Sequence, residues 1–195
     1  MKSCASLLAL LLGSLAFAGP VHADARADLK AAYTKFIQAT SFRATLSDLD
    51  KGKEVSQVEF ALPDRYAVTP AAGGPRQIII GRTMYMDLGG QVMKIPLPPQ
   101  ADPNQYRNPR ALEELAAGIA VEQRADAVVA GEPANVYYFL SNVDGKPMET
   151  LTFVSKARGL PIQVQTTAGK TRGKFRYQIR YSHFNDPAIV INTPN

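Results

Sequence analysis

The chain has 195 residues, 46% of them hydrophobic and 20% charged, a balance that excludes intrinsic disorder and fits one domain with its own core. A formal charge of +5 inclines it toward anionic partners without identifying one, and the lone cysteine, Cys4, excludes a fold held by disulfides.

Residues 1–23 have the three-part layout of a cleaved secretory signal peptide. Lys2 supplies the positive start, residues 7–17 form an apolar run, and Val21-His22-Ala23 offers a small-x-small cleavage site, so the exported product is expected to begin at Asp24 and to be periplasmic. The apolar run is about half the roughly twenty residues that cross a bilayer, and no later stretch approaches that length. Cys4 precedes this run, whereas a lipid-attachment cysteine follows it, so acylation is not expected. Residues 24–195 are expected to form a single domain.

In residues 25–39 Leu29, Tyr33, Phe36 and Ile37 recur at helical spacing, which predicts one amphipathic helix. From Ser41 the period shifts to two. Strands are expected at 42–48, 55–62, 65–69, 76–81, 83–88 and 91–97, joined by turns such as Asp50-Lys51-Gly52-Lys53 and Gly89-Gly90. Pro96, Pro98, Pro99 and Pro103 enforce a long irregular connection. Asn108-Pro109 then opens a short helix over 110–117, ended by Gly118. Strands resume at 121–129, 135–141, 149–155, 161–167 and 174–182, with turns at Asp144-Gly145 and Gly159.

The fold class is therefore mainly β: a curved antiparallel sheet of about eleven strands forming an unclosed barrel, with the N-terminal helix and the short mid-chain helix on its concave face. Phe175 to Tyr181 strictly alternates apolar or aromatic with polar residues, and one-sided rows recur at Val58/Phe60/Leu62, Ile78/Ile80, Met84/Met86/Leu88 and Leu151/Phe153, so one face is expected dry and the other wet. Two short helices are a small plug for so broad a sheet. Met84, Met86, Met93 and Met148 suit a space left between, because thioethers adapt to variable apolar guests.

This order of parts resembles the LolA-like family of periplasmic lipoprotein- and lipid-binding proteins, which spans LolA, LolB, RseB and lipid-binding lipoproteins of mycobacterial envelopes. The likeness is carried by Val58-Glu59-Phe60-Ala61-Leu62-Pro63-Asp64-Arg65-Tyr66, similar to the family's strand-Pro-turn-strand unit, by Ile78-Ile79-Ile80-Gly81-Arg82-Thr83-Met84-Tyr85-Met86, similar to its apolar hairpin, and by residues 184–194, similar to its last strand. It implies a hydrophobic cavity for acyl chains, as in an outer-membrane lipoprotein carrier, or a lipoprotein-sensing role. In LolA an arginine before that proline latches the lid, but Leu62 stands here; Val92 replaces a tryptophan common in the broader group; and with the sequence ending at Asn195 the carrier's extra C-terminal segment is not expected. The resemblance is to the fold group, not to LolA itself.

No catalytic, metal or cofactor motif appears, and His183 is alone after residue 23, without a nucleophile or orienting partner, so no enzyme is expected. Asp48, Asp50 and Glu54 could pair as carboxylates or hold a cation, but their hairpin position favours solvated turn residues. Lys170, Arg172, Lys174, Arg176 and Arg180 form the densest basic stretch. Alternation sends its aromatics to the face opposite Arg176 and Arg180, which disfavours nucleic acid and leaves Lys170, Arg172, Arg176 and Arg180 as contacts for an anionic headgroup or another cell-envelope protein.

The apolar rows alone fit a filled core as well as a cavity; the resemblance favours the cavity. The expected function is lipid binding or lipoprotein transport by a non-enzymatic periplasmic protein, the partners being lipid or lipoprotein acyl chains. The expected lining is Phe42, Phe60, Leu62, Ile78, Ile80, Met84, Met86, Phe153, Tyr177 and Ile179. The alternative is an envelope interaction or sensor module with a filled core.

Overall fold

A computed structural model describes residues 24–99, 112, 118–143, 146–167 and 173–194. Asp24 caps the first helix, its carboxylate accepting the backbone N–H of Arg26 at 3.0 Å. Helix α1 (Ala25–Gln38) buries Leu29, Ala32 and Phe36 along one side. The expected mid-chain helix over 110–117 falls outside the described residues, apart from Leu112. None of the described helices is long and apolar enough to cross a membrane.

Eleven strands follow α1: β1 (Ser41–Asp48), β2 (Lys53–Ala61), β3 (Arg65–Pro70), β4 (Gln77–Ile80), β5 (Thr83–Asp87), β6 (Val92–Pro96), β7 (Val121–Val129), β8 (Glu132–Val143), β9 (Lys146–Ser155), β10 (Pro161–Thr167) and β11 (Phe175–Ser182). They form one antiparallel sheet in the order β6-β5-β4-β3-β2-β1-β11-β10-β9-β8-β7, curved but not closed into a barrel. Two meanders, β1–β6 and β7–β11, are thus sewn together by the β1–β11 pairing, where Leu46 faces Ile179. Gly52, at φ 58°, and Gly89 and Gly90, at φ 77° and 97°, take the left-handed turn conformations that side chains resist.

Register fixes which side chains share the face that carries α1. Phe42, Phe60, Tyr66, Ile79, Met84 and Ile95 stand opposite one another from β1 to β6, and beside them run Ala44, Val58, Val68, Gln77, Met86 and Met93. α1 lies mainly over the other meander. Leu29 and Ala32 pack with Tyr137, Phe139 and Val154, while Phe36 reaches the aromatic cluster of Phe42, Phe60 and Tyr66. Tyr33 ties helix to sheet through a 3.0 Å hydrogen bond between its hydroxyl and that of Thr152.

The outer face is not uniformly wet, contrary to the one-sided pattern expected. Ala67, Ile78 and Ile191 form one cluster there with Ile80 and Tyr85, and Val129, Ala134, Val136, Phe153 and Ile162 form another. Ile78-Ile79-Ile80 is apolar in both parities, so alternation gives no direction, and the pairing of Ile79 with Tyr66 and Met84 turns Ile78 and Ile80 outward. Residues 184–194 also differ from expectation, for none is in a strand. Asn185 adopts φ 57° and its side chain accepts the Thr40 backbone N–H at 2.8 Å, while Arg65 donates to the Ile191 carbonyl at 2.7 Å. Pro187 lacks a ladder donor, and the segment becomes a strap that buries Ile189 and Ile191.

Candidate functional site

Between α1 and the inner face of the sheet lies a cavity of about 420 Å³. Its wall combines Tyr33 and Phe36 of α1 with Phe42, Ala44 and Leu46 of β1, Val58 of β2, Tyr66 and Val68 of β3, Ile79 of β4, Val164 of β10, and Ile179 and Tyr181 of β11. None of these side chains is charged. The space exists because Ala44 and the valines are small where their neighbours are aromatic, and because α1 covers the β7–β10 side more fully than the β2–β4 side. Stacked and edge-on rings fix one wall: Phe42 lies 5.0 Å from Phe60 and 5.1 Å from Phe36, and Tyr181 meets Phe36 edge-on at 5.0 Å.

Hydroxyls are the wall's polar side-chain groups. Burial raises the pKa of the Tyr33 hydroxyl above its ordinary value despite its bond to Thr152. Burial, reinforced by neighbouring Tyr33, also raises that of Tyr181. Both stay protonated at any physiological pH. Beside the cavity, the Tyr137 hydroxyl is pushed up to about 12 by burial and then by the Asp28 carboxylate, to which it donates at 3.2 Å. Such an interior repels ions and accepts hydrocarbon.

No family model matches the chain, and no curated protein sequence matches it. Among solved structures, the Mycobacterium tuberculosis lipoprotein LppX superposes with a TM-score of 0.63 at 11% identity, over 86% of this chain and 98% of that one. LprF from Mycobacterium bovis superposes with a TM-score of 0.66 at 10% identity, over 87% and 96% respectively. The chain shares the fold of these two lipoproteins. At such identities the likeness is one of architecture, so the chemistry of the half-barrel has to be read from this chain's own residues.

Of the ten side chains expected to line a cavity, Phe42 and Ile179 border this one. Phe60 lies in the same aromatic cluster, fully buried behind Phe42. Met84 and Met86 share the inner face farther out, opposite Ile95 and Met93. Tyr177 continues the Ile179 row toward the Asp48 turn, where it pairs with Asp48 and lies 5.1 Å from the Arg176 guanidinium. Ile78, Ile80 and Phe153 pack on the outer face. Leu62 lies just beyond β2 and is 47% exposed. Met93 is half-exposed on edge strand β6, and Met148 does not border the cavity.

Among the basic residues, Lys170 and Arg172 fall outside the described residues. Arg176 is 3.5 Å from the Asp48 carboxylate, and Lys174 is 3.0 Å from that of Asp50, so the β1–β2 turn neutralises part of the basic hairpin. Arg180 is exposed on the outer face, level with Thr45 and Gln163. Asp48 serves the turn by accepting the backbone N–H groups of Asp50 and Lys51. His183 is exposed, its Nδ1 3.0 Å from the Ser182 hydroxyl, and among the described residues no group of three or more His, Cys, Asp or Glu side chains could hold a metal ion.

Sequence reasoning missed the helix's share of the wall and the inward-facing Val68, Ile79 and Val164, which belong to three different rows. The helical spacing of Tyr33 and Phe36 marked them as inward-facing, and register was the missing signal for the others.

Proposed function

We propose that this is an exported, non-enzymatic carrier or binding protein of the periplasm that holds the acyl chain of a lipid or lipoprotein between α1 and the inner face of its half-barrel. The observation that carries this function is the uncharged cavity of about 420 Å³, within the usual range for small-molecule sites. A methylene is about as bulky as a liquid water at ~30 Å³, so the space takes a chain of roughly fourteen carbons. Burying it contributes on the order of 11 kcal/mol at ~0.8 kcal/mol per methylene, before the costs of association. Export rests on the Lys2-to-Ala23 signal pattern. The alternative of a sensor module with a filled core is less well supported, because its premise conflicts with an open space of this size.

Native mass spectrometry on protein taken from the periplasm without lipid stripping tests this function. Added lipid mass is expected. Consistently ligand-free protein with no affinity for a fluorescent fatty acid would refute it.

A further inference from the structure

Inside an otherwise greasy cavity, three tyrosines bring hydroxyl groups. Tyr33 is committed to Thr152 at 3.0 Å, and Tyr66 has contacts of its own. Tyr181 differs. Its ring is clamped by Phe36, Phe42 and Phe184, at centroid distances of 5.0, 5.7 and 6.3 Å, yet among the described residues its hydroxyl has no hydrogen-bond partner. Tyr181 is half-buried, and a tyrosine hydroxyl without a protein partner at the wall of a binding cavity is an available donor.

The chemistry of the rest of the wall narrows what that donor can serve. No lining side chain is cationic, so a free carboxylate drawn inside would lose its hydration without gaining a counter-charge. A neutral carbonyl needs one donor, which Tyr181 supplies. A plain hydrocarbon would leave that hydroxyl unsatisfied. The suppressed ionisation of Tyr181 keeps the proton available across the physiological range.

We propose that the Tyr181 hydroxyl donates a hydrogen bond to an uncharged acyl carbonyl of the bound chain, making the cavity selective for acyl esters over both free fatty acids and plain hydrocarbons. This inference rests on the acyl-chain function above and adds the ligand's chemical class and the residue that recognises it. It places the ester inside the cavity, with the remainder of the lipid beyond the wall.

The test compares methyl myristate, myristate at pH 8 and n-pentadecane as competitors for bound diphenylhexatriene, in the wild type and in Tyr181→Phe, which keeps the clamped ring. In the wild type the ester is expected to bind about fivefold more tightly than the hydrocarbon, the scale of one neutral hydrogen bond. Tyr181→Phe should abolish that preference, weakening the ester and tightening the hydrocarbon because no hydroxyl is left unsatisfied, and keep the urea midpoint at or above the wild-type value. The infrared stretch of a ¹³C-labelled ester carbonyl should lie lower in the wild type than in the variant. An ester preference that survives in Tyr181→Phe, or free myristate binding more tightly than its ester to the wild type, overturns the inference while acyl-chain binding stands. Failure of the wild type to bind dye, ester and hydrocarbon alike overturns both.

Discussion

Ala44→Leu separates an occupied cavity from an incidental gap. Ala44 is buried on β1, in register with Val58 on one side and Tyr181 on the other, so a larger side chain there grows into the wall's middle. Leucine adds three carbons, each about as bulky as a liquid water at ~30 Å³, and these remove about a fifth of the 420 Å³. The guest then loses about three buried methylenes, or about 2.4 kcal/mol at ~0.8 kcal/mol each. That corresponds to about a 60-fold rise in Kd for a chain that fills the wild-type space. Dye displacement by a series of methyl esters from ten to sixteen carbons reads this directly: the preferred length should shorten by about three carbons, with little change for the shortest. Because the new side chain fills a void, the urea midpoint should hold or rise. Undiminished binding of the longest ester would refute placement of the chain in this cavity, and a large loss of stability would show that the site is already packed.

Two further predictions concern the tyrosines in and beside the cavity. Tyr33→Phe leaves the fully buried Thr152 hydroxyl without its partner and should lower stability by about 1–3 kcal/mol; urea unfolding checks this, and adding Thr152→Val should restore most of the loss. Alkali should also loosen the protein. Tyr33, Tyr137 and Tyr181 hold their protons in the fold above pH 10, whereas the unfolded chain releases them near that pH, so their contribution to stability should be level below about pH 10 and fall between there and about 12, the value to which Tyr137 is raised. Urea midpoints measured against pH should fall less steeply in Tyr137→Phe, and identical slopes would refute this assignment.

The strand layout was legible because turn chemistry and period two agree along most of the chain. Gly52, Gly89-Gly90 and Gly159 mark turns in sequence and occupy left-handed conformations in the fold. The direction of individual side chains was less legible. Ile78-Ile79-Ile80 has no polar member to set its parity, and Leu151/Phe153 reads as a dry row although Thr150 and Thr152 hold the inner positions beside it. Hydrophobicity ranks Phe153 above Thr152 for an interior place; the hydroxyl of Tyr33, contributed by a helix more than a hundred residues away, reverses the order at that point. The strap over residues 184–194 was read as a strand from its likeness to the family's last strand, while the side-chain hydrogen bonds that hold it depend on long-range contacts invisible in a local pattern. The cavity itself is a difference between filled and unfilled volume, and no local pattern records that.

The β1–β11 seam has a consequence for the order of events during synthesis. Every other ladder in the sheet joins strands that are neighbours along the chain, so each forms by short loop closure as soon as its second strand emerges. The seam joins the first strand to β11, the last to be made, and so forms only at the end. Since the walls of the cavity come from β1–β4 on one side and β10–β11 on the other, a nascent polypeptide has no pocket to offer a passing lipid until its keystone strand arrives. In the proposed carrier role, capture of a lipid then follows completion of the chain.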